Sequence, residues 1–140
     1  MLSAWIPGPP VPQGRARIAA TGHHIMAPKS RVWRAGAVLV LRAARQGRAP
    51  IDQLCKVQVT AVVPRPQQRP TRTPPDVWKL HGRIPAGNAA DVDNYAKAAL
   101  DAAQDAGWLA DDHLVVELVV RKVYAAVGEE PGLALHLEVA

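Results

Sequence analysis

The spacing of apolar and polar positions predicts three elements in the first half of the chain. The segment LSAWIPG predicts a short strand that ends at Pro7, because proline lacks the amide donor that a strand interior needs. Apolar residues at helical spacing predict a helix over 29–46, with Ser30 as its cap and Gly47 as its stop. Residues 54–63 alternate around β-branched valines, which is typical of a strand.

The same spacing predicts a helix and two strands toward the C-terminus. An alanine-rich segment over 92–106, followed by Gly107, predicts a closely packed helix. Residues 113–124 and 133–139 predict two strands joined by a glycine- and proline-containing turn. This order predicts one domain over 1–140 in the α/β (α+β) class, with a mixed β-sheet covered by helices.

Two connecting segments have weaker patterns. Residues 14–26 predict a hairpin with Thr21 and Gly22 at its turn. Residues 64–87 are rich in proline and arginine and predict a mobile basic loop that neither pairs in a sheet nor forms a helix.

Composition adds that the chain is an ordinary globular protein. Its 140 residues suffice for one hydrophobic core, and 49% of them are hydrophobic. The single cysteine, Cys55, lies in a predicted strand and has no internal disulfide partner. The N-terminus lacks the charged region of a signal peptide, and no apolar run is long enough to span a bilayer. We therefore expect a cytoplasmic protein without a membrane partner.

Positive charge is concentrated in the first part of the chain. The formal net charge is +5, and residues 1–50 contain eight basic side chains and no Asp or Glu. A basic zone of this kind favours a polyanionic partner, and we expect nucleic acid. The alternative is that the surface is basic without a functional reason, because arginine-rich surfaces are common in proteins that are rich in Ala, Arg, Val and Pro.

Negative charge is concentrated elsewhere. Six of the twelve acidic residues fall within 22 positions: Asp91, Asp93, Asp101, Asp105, Asp111 and Asp112. Asp91 and Asp93 stand at the start of the predicted helix, and the chain can turn back after Gly107 to bring a third carboxylate near them. Hard cations such as Mg²⁺ bind through a few carboxylates, waters and phosphate oxygens. Lys97, one turn further along, could offset charge on a phosphate.

Each acidic residue also has a purely structural interpretation. Asp91 is a good helix N-cap, Asp93 and Lys97 have the spacing of a surface ion pair, and Asp101 and Asp105 suit a solvated helix face. Asp111 and Asp112 could be turn residues. Spacing alone leaves these alternatives open.

Other chemistry is less favoured. His23 and His24 have no further ligand at zinc spacing. Trp33 and Trp108 lie beside apolar residues and are predicted to belong to the core.

The segment DVDNYAKAALDAAQDAGWLADDHLV resembles the active-site segment of the RusA family of Holliday junction resolvases. It has the pattern Asp, any residue, Asp, Asn, then Lys three positions later, an alanine-rich helix and a terminal Asp-Asp pair. PPVPQGRARI is similar to the family's proline-rich opening and basic stretch, and MAPKSRVWRA is similar to the start of its first helix.

The resemblance implies a role for each matching position. Asp91, Asp93 and Asp112 would bind Mg²⁺ or Mn²⁺, with Asp111 as an uncertain neighbour, and Lys97 would be the catalytic lysine. The basic residues expected to contact DNA are Arg15, Arg17, Lys29, Arg31 and Arg34.

The chain departs from the family pattern at two places. Ala89 and Ala90 stand where members commonly have a basic residue or Lys-Pro, and Gln13 stands where they commonly have Lys. Lys79 and Arg83 are candidates to supply the missing charge.

These features favour a metal-dependent endonuclease that resolves four-way DNA junctions in recombination and repair. Symmetric cutting of two strands requires a homodimer, since each chain has one acidic cluster. The alternatives are a catalytically silent DNA-binding protein and, less favoured, a metal phosphoesterase that acts on free nucleotides.

Overall fold

The computed structural model describes residues 1–14, 17–18, 22 and 24–140, with the backbone alone at 17, 18, 24 and 25. Five strands form a mixed sheet in the spatial order β1, β7, β4, β6, β5. Their bounds are β1 Leu2–Pro7, β4 Cys55–Val63, β5 Ile84–Pro85, β6 Val115–Tyr124 and β7 Gly132–Val139. Strands β4 and β6 are parallel, whereas the other neighbours are antiparallel. The predicted mixed sheet and α+β class are confirmed.

Three helices accompany the sheet: α1 Pro28–Arg45, α2 Pro75–Trp78 and α3 Val92–Asp105. The prediction that Ser30 caps α1 is wrong. Pro28 begins this helix with its fixed φ, so the N-cap is Ala27 and Ser30 is buried in the first turn. The helix ends where Gln46 and Gly47 adopt left-handed conformations, as the glycine predicted.

The main core lies where α1 and α3 pack against each other and against the sheet. Small residues of α3, among them Ala99, Ala102 and Ala103, are fully buried and allow the two helices to approach closely. Trp108 is fully buried, and its indole N–H donates to the Leu41 carbonyl at 2.6 Å. Cys55 is buried in β4, where desolvation raises the pKa of its thiol. Both residues lie where the sequence placed them.

A second apolar cluster is built from the proline- and arginine-rich segment. Ile84 and Ala86 pack there with Tyr95 and Tyr124, and Trp78 lies against the same cluster. The prediction that residues 64–87 neither pair nor form a helix is wrong, because this segment contains α2 and β5. The expectation that it is mobile stays a prediction.

Arg65 explains how this segment holds a defined path. Its guanidinium donates to the carbonyls of Trp78, Leu80, Gly82 and Ala125 at 2.7–3.3 Å. The same group stacks on the Trp78 ring, 4.8 Å from the ring centroid. The guanidinium has five N–H donors in one plane. It therefore bonds backbone carbonyls that have no hydrogen-bond partner in a helix or a sheet.

The predicted hairpin over 14–26 is present as two short antiparallel strands, β2 Arg17–Ile18 and β3 His24–Ile25. Gly22 lies in the connection with φ +83°, whereas Thr21 lies outside the described residues. In the described ranges, no helix has the length and apolar character needed to cross a membrane.

Candidate active site

The acidic motif begins at the N-terminus of α3. Asp91 is the N-cap residue, yet its carboxylate accepts no capping hydrogen bond from the described part of the chain. Asp93 lies in the first helical turn, where the helix dipole favours a negative charge. Both side chains are exposed. These carboxylates are therefore free of the local capping role that the sequence left open for Asp91.

A pocket of about 390 Å³ brings three of the predicted site residues together. Its wall is formed by α3, β6 and the turn between them, with the lining residues Val92, Asp93, Ala96, Lys97, Leu100, Asp101, Asp112, Leu118 and Val120. Asp93, Lys97 and Asp112 therefore share one concave surface. Asp91 and Asp111 are not part of the lining.

Asp111 and Asp112 have different surroundings. The Asp111 carboxylate accepts a hydrogen bond from the His113 amide at 3.1 Å and lies 2.8 Å from the His113 imidazole Nδ1. The His113 backbone amide, followed by its imidazole, lowers the pKa of Asp111. Asp111 is thus a turn residue, as one sequence interpretation proposed, while Asp112 lines the pocket.

The ion pairs of α3 differ from those inferred by spacing. Lys97 Nζ lies 3.6 Å from Asp101 Oδ2, and the ion pairs found among described residues do not include Asp93. Asp101 and Asp105 do not form a merely solvated face, because Arg34 of α1 pairs with both. The Asp93–Lys97 ion pair and the solvated-face interpretation are therefore both wrong.

The donor chemistry of the pocket fits a hard divalent cation held partly by substrate. No cluster of three or more His, Cys, Asp or Glu within residues 1–14, 17–18, 22 and 24–140 is arranged to hold a metal. Asp93 and Asp112 nevertheless supply carboxylate oxygens to one pocket. Mg²⁺ commonly binds through one or two carboxylates and completes its shell with waters and phosphate oxygens.

Lys122 is a residue near the motif that sequence reasoning missed. Its ammonium donates to the carbonyls of Ala89 and Ala90 at 3.3 and 3.1 Å, directly before Asp91. One residue before Ala89, the backbone N–H of Asn88 donates to the Tyr124 hydroxyl at 3.3 Å. A lysine in an alternating strand pattern gives no sign of this contact, because it depends on how β6 packs beneath the turn.

Arg83 was a sequence candidate for charge near the motif, but it has another partner. Its guanidinium forms hydrogen bonds with both carboxylate oxygens of Glu129 at 2.7–3.1 Å. This contact, followed by the Ala126 amide, lowers the pKa of Glu129. Lys79 is exposed at the end of α2. Lys122 thus provides the ammonium group that contacts Ala89 and Ala90.

The N-terminal segment reaches the start of α3. The backbone N–H of Gln13 donates to the backbone carbonyl of Asn94 at 3.0 Å. This bond anchors the N-terminal segment one residue after Asp93. Arg15 lies outside the described residues, and for Arg17 only the backbone in β2 is described. Their predicted contacts with DNA stay predictions.

The other predicted DNA-binding residues lie on α1. Lys29 and Arg31 are exposed in its first turns. Arg31 and Arg42 line a groove of about 650 Å³ whose floor includes Val38 and Leu39. The Arg34 guanidinium also lines this groove, but it is paired with Asp105 at 2.6 Å.

Comparison with known proteins gives a family match. The family model described as Endodeoxyribonuclease RusA matches residues 7–138, which include all of the acidic motif and most of the basic N-terminal zone. A comparison with curated proteins found no match. Because the family match covers nearly the whole chain, this protein belongs to the RusA family of endodeoxyribonucleases.

Proposed function

We propose that this chain is a divalent-metal-dependent endonuclease that resolves four-way DNA junctions during recombination and repair. The observation that carries the proposal is the shared pocket of Asp93, Lys97 and Asp112, on a chain whose family cuts DNA. Water is the nucleophile, and a phosphodiester bond of the DNA backbone is broken.

The carboxylates of the pocket would hold Mg²⁺, or Mn²⁺ in its place. Asp93 and Asp112 would supply oxygen ligands from α3 and from the turn after it, and Asp91, which lies at the N-cap outside the pocket lining, would be a third candidate. A bound ion of this kind polarises a phosphoryl oxygen and lowers the pKa of its water. A substrate phosphate oxygen would be available to complete the ligand set, as is common for Mg²⁺ sites with few protein carboxylates.

Lys97 acts on the phosphate itself. Its side chain extends from the helical turn after Asp93 into the same pocket, where its ammonium can lie beside the phosphate oxygens. A fixed positive charge at this position stabilises the negative charge that develops in the transition state.

The basic N-terminal zone binds the DNA backbone. Lys29 and Arg31 are exposed on α1, and the Gln13–Asn94 hydrogen bond ties the segment that precedes Arg15 to the motif. Phosphate contacts of this type fix the position of the duplex without reading its sequence.

The active unit is a homodimer. A four-way junction is resolved when two strands are cut symmetrically, and each chain contains one acidic pocket. A two-fold pair of chains presents two pockets to two strands related by the symmetry of the junction.

An Asp93→Asn variant tests the assignment of the pocket. The amide is nearly isosteric but neutral, so we expect the fold and junction affinity to be retained while metal-dependent cutting falls by roughly a hundredfold or more. Circular dichroism, electrophoretic mobility shift and denaturing gels measure the three properties.

The matched control is Asp76→Asn, which removes an exposed carboxylate of α2 outside the pocket. This variant should cut at the wild-type rate. Unchanged cutting by Asp93→Asn, or an equal loss in both variants, would refute the assignment.

A further inference from the structure

Four charged side chains form a connected chain between α1 and the acidic pocket. Arg34 Nε donates to Asp105 Oδ2 at 2.6 Å, and Arg34 Nη1 lies 3.9 Å from Asp101 Oδ2. The same Asp101 oxygen lies 3.6 Å from Lys97 Nζ. Arg34 thus spans two successive turns of α3, and Asp101 lies between two cations.

Asp101 differs from the other carboxylates of the pocket. Its side chain retains 20% of its accessible surface, and both neighbouring cations approach the same oxygen. The ion pairs seen in the described part of the chain do not include Asp93 or Asp112. The charge of Asp101 is therefore compensated within the protein, whereas the charges of Asp93 and Asp112 are not compensated by these ion pairs.

Lys97 needs a partner of this kind. Its side chain is 58% exposed and has four rotatable bonds, so an unrestrained ammonium would sample many positions outside the pocket. An exposed ion pair between residues four apart on a helix is weak by itself. Here the same carboxylate oxygen also lies 3.9 Å from Arg34 Nη1, so part of the freedom of Asp101 is already lost before Lys97 pairs with it.

We propose that Asp101 is a positioning residue that holds the Lys97 ammonium in the acidic pocket, and that Arg34 of α1 fixes Asp101 for this task. The role of Lys97 in cutting rests on the function proposed above, while the restraint of its side chain does not. The cluster also lies between two cavities. Arg34 and Asp105 line the groove that contains Arg31 and Arg42, whereas Lys97 and Asp101 line the pocket that contains Asp93 and Asp112.

Side-chain NMR of the lysine ammonium groups tests the restraint without DNA or metal. The Lys97 signal is assigned by its loss in Lys97→Ala. We expect a restricted ammonium in the wild type and a clearly more mobile one in Asp101→Asn. Asp76→Asn is the control, because this exposed carboxylate of α2 forms none of the ion pairs that link Arg34, Asp101 and Lys97. Equal mobility of Lys97 in the wild type and Asp101→Asn would overturn the proposal.

Kinetics then test whether the restraint matters for cutting. We expect Asp101→Asn to lower kcat by about tenfold with KM unchanged, and to have no further effect in the Lys97→Ala background, as for residues that act through one contact. Asp76→Asn, whose exposed carboxylate lies outside both cavities, should stay within about twofold of the wild type. If Asp101→Asn and Lys97→Ala lowered kcat by independent factors when combined, Asp101 would not act through Lys97. If the wild type cuts no junction while its Lys97 is restricted, the positioning role stands and the proposed function fails.

Discussion

Asp111 and Asp112 are adjacent in the sequence, but their carboxylates are used differently. Asp111 accepts the His113 amide and so closes the turn Asp112–Leu114 that precedes β6. This bond fixes the direction of the chain at Asp112, whose side chain lines the pocket. A local hydrogen bond from one carboxylate therefore orients the next residue toward the site.

A single sequence predicts some of these residues better than others. The positions of Asp93 and Lys97 follow from helical periodicity, which is a local property. The roles of Asp101 and Lys122 depend on groups far away in the sequence. Asp101 pairs with the Arg34 side chain, and Lys122 donates to the backbone carbonyls of Ala89 and Ala90. The periodicity of apolar positions along the chain carries no information on such tertiary contacts. Sequence analysis therefore placed Asp101 on a solvated helix face and assigned no role to Lys122.

Lys122→Met tests whether the turn before Asp91 needs its buried ammonium contact. Methionine keeps most of the side-chain volume but leaves two partly buried carbonyls without their donor. We expect unfolding free energy to fall by about 1–3 kcal/mol, the usual cost of such a loss. Junction cutting should fall by roughly tenfold, because the Lys122 contact supports the turn before Asp91, a proposed metal ligand. Loss of a contact that supports a metal ligand commonly lowers activity by at least this factor.

Lys79→Met is the control, since Lys79 is exposed and forms no side-chain hydrogen bond with the described residues. In chemical denaturation, the unfolding free energy of this variant should stay close to that of the wild type, and initial cutting rates are compared among all three proteins. Cutting by Lys122→Met at the wild-type rate would show that the contact does not support the site.

At the level of elements, long segments with strong periodicity were predicted well and short ones were not. The helices α1 and α3 and the strand β4 each contain nine or more residues with a regular apolar pattern. By contrast, α2 has four residues and β5 has two, and both are held by tertiary contacts with Arg65 and β6. Proline content in that segment suggested irregular structure, but it gave no information on those contacts.

The end of α3 offers a direct test of an element boundary. Gly107 has φ +76°, and a Cβ there would meet the Arg45 guanidinium. We expect Gly107→Ala to lower unfolding free energy by about 1 kcal/mol or more, because alanine is strained at positive φ. The change also shifts the turn that presents Asp112, so cutting should fall as well.

Gly36→Ala is the matched control, because Gly36 lies within α1 and an added Cβ would meet no atom within 4 Å. This variant should raise unfolding free energy by about 0.5–1 kcal/mol, since alanine favours the helix. Thermal and urea unfolding measure both changes. Equal effects of the two substitutions would contradict the assigned conformation of Gly107.

In the whole molecule, the basic and acidic zones of the sequence meet at one place. Helix α1 belongs to the acid-free first 50 residues, and it packs on α3, which contains three of the six clustered aspartates. Arg34 joins the two helices through Asp101 and Asp105. This arrangement places cationic side chains proposed to bind the DNA backbone beside the carboxylates proposed to hold a metal, so the proposed binding and cutting surfaces are adjacent.

The most direct test of the central claim is strand cutting of a synthetic immobile four-way junction. The purified wild-type protein is incubated with the junction or a matched linear duplex, in Mg²⁺, Mn²⁺ or EDTA, and the products are separated on denaturing gels. We predict paired nicks in symmetric strands of the junction that require a divalent ion, with the duplex intact. Junction binding without nicks in either ion would contradict the account and favour a catalytically silent DNA-binding protein.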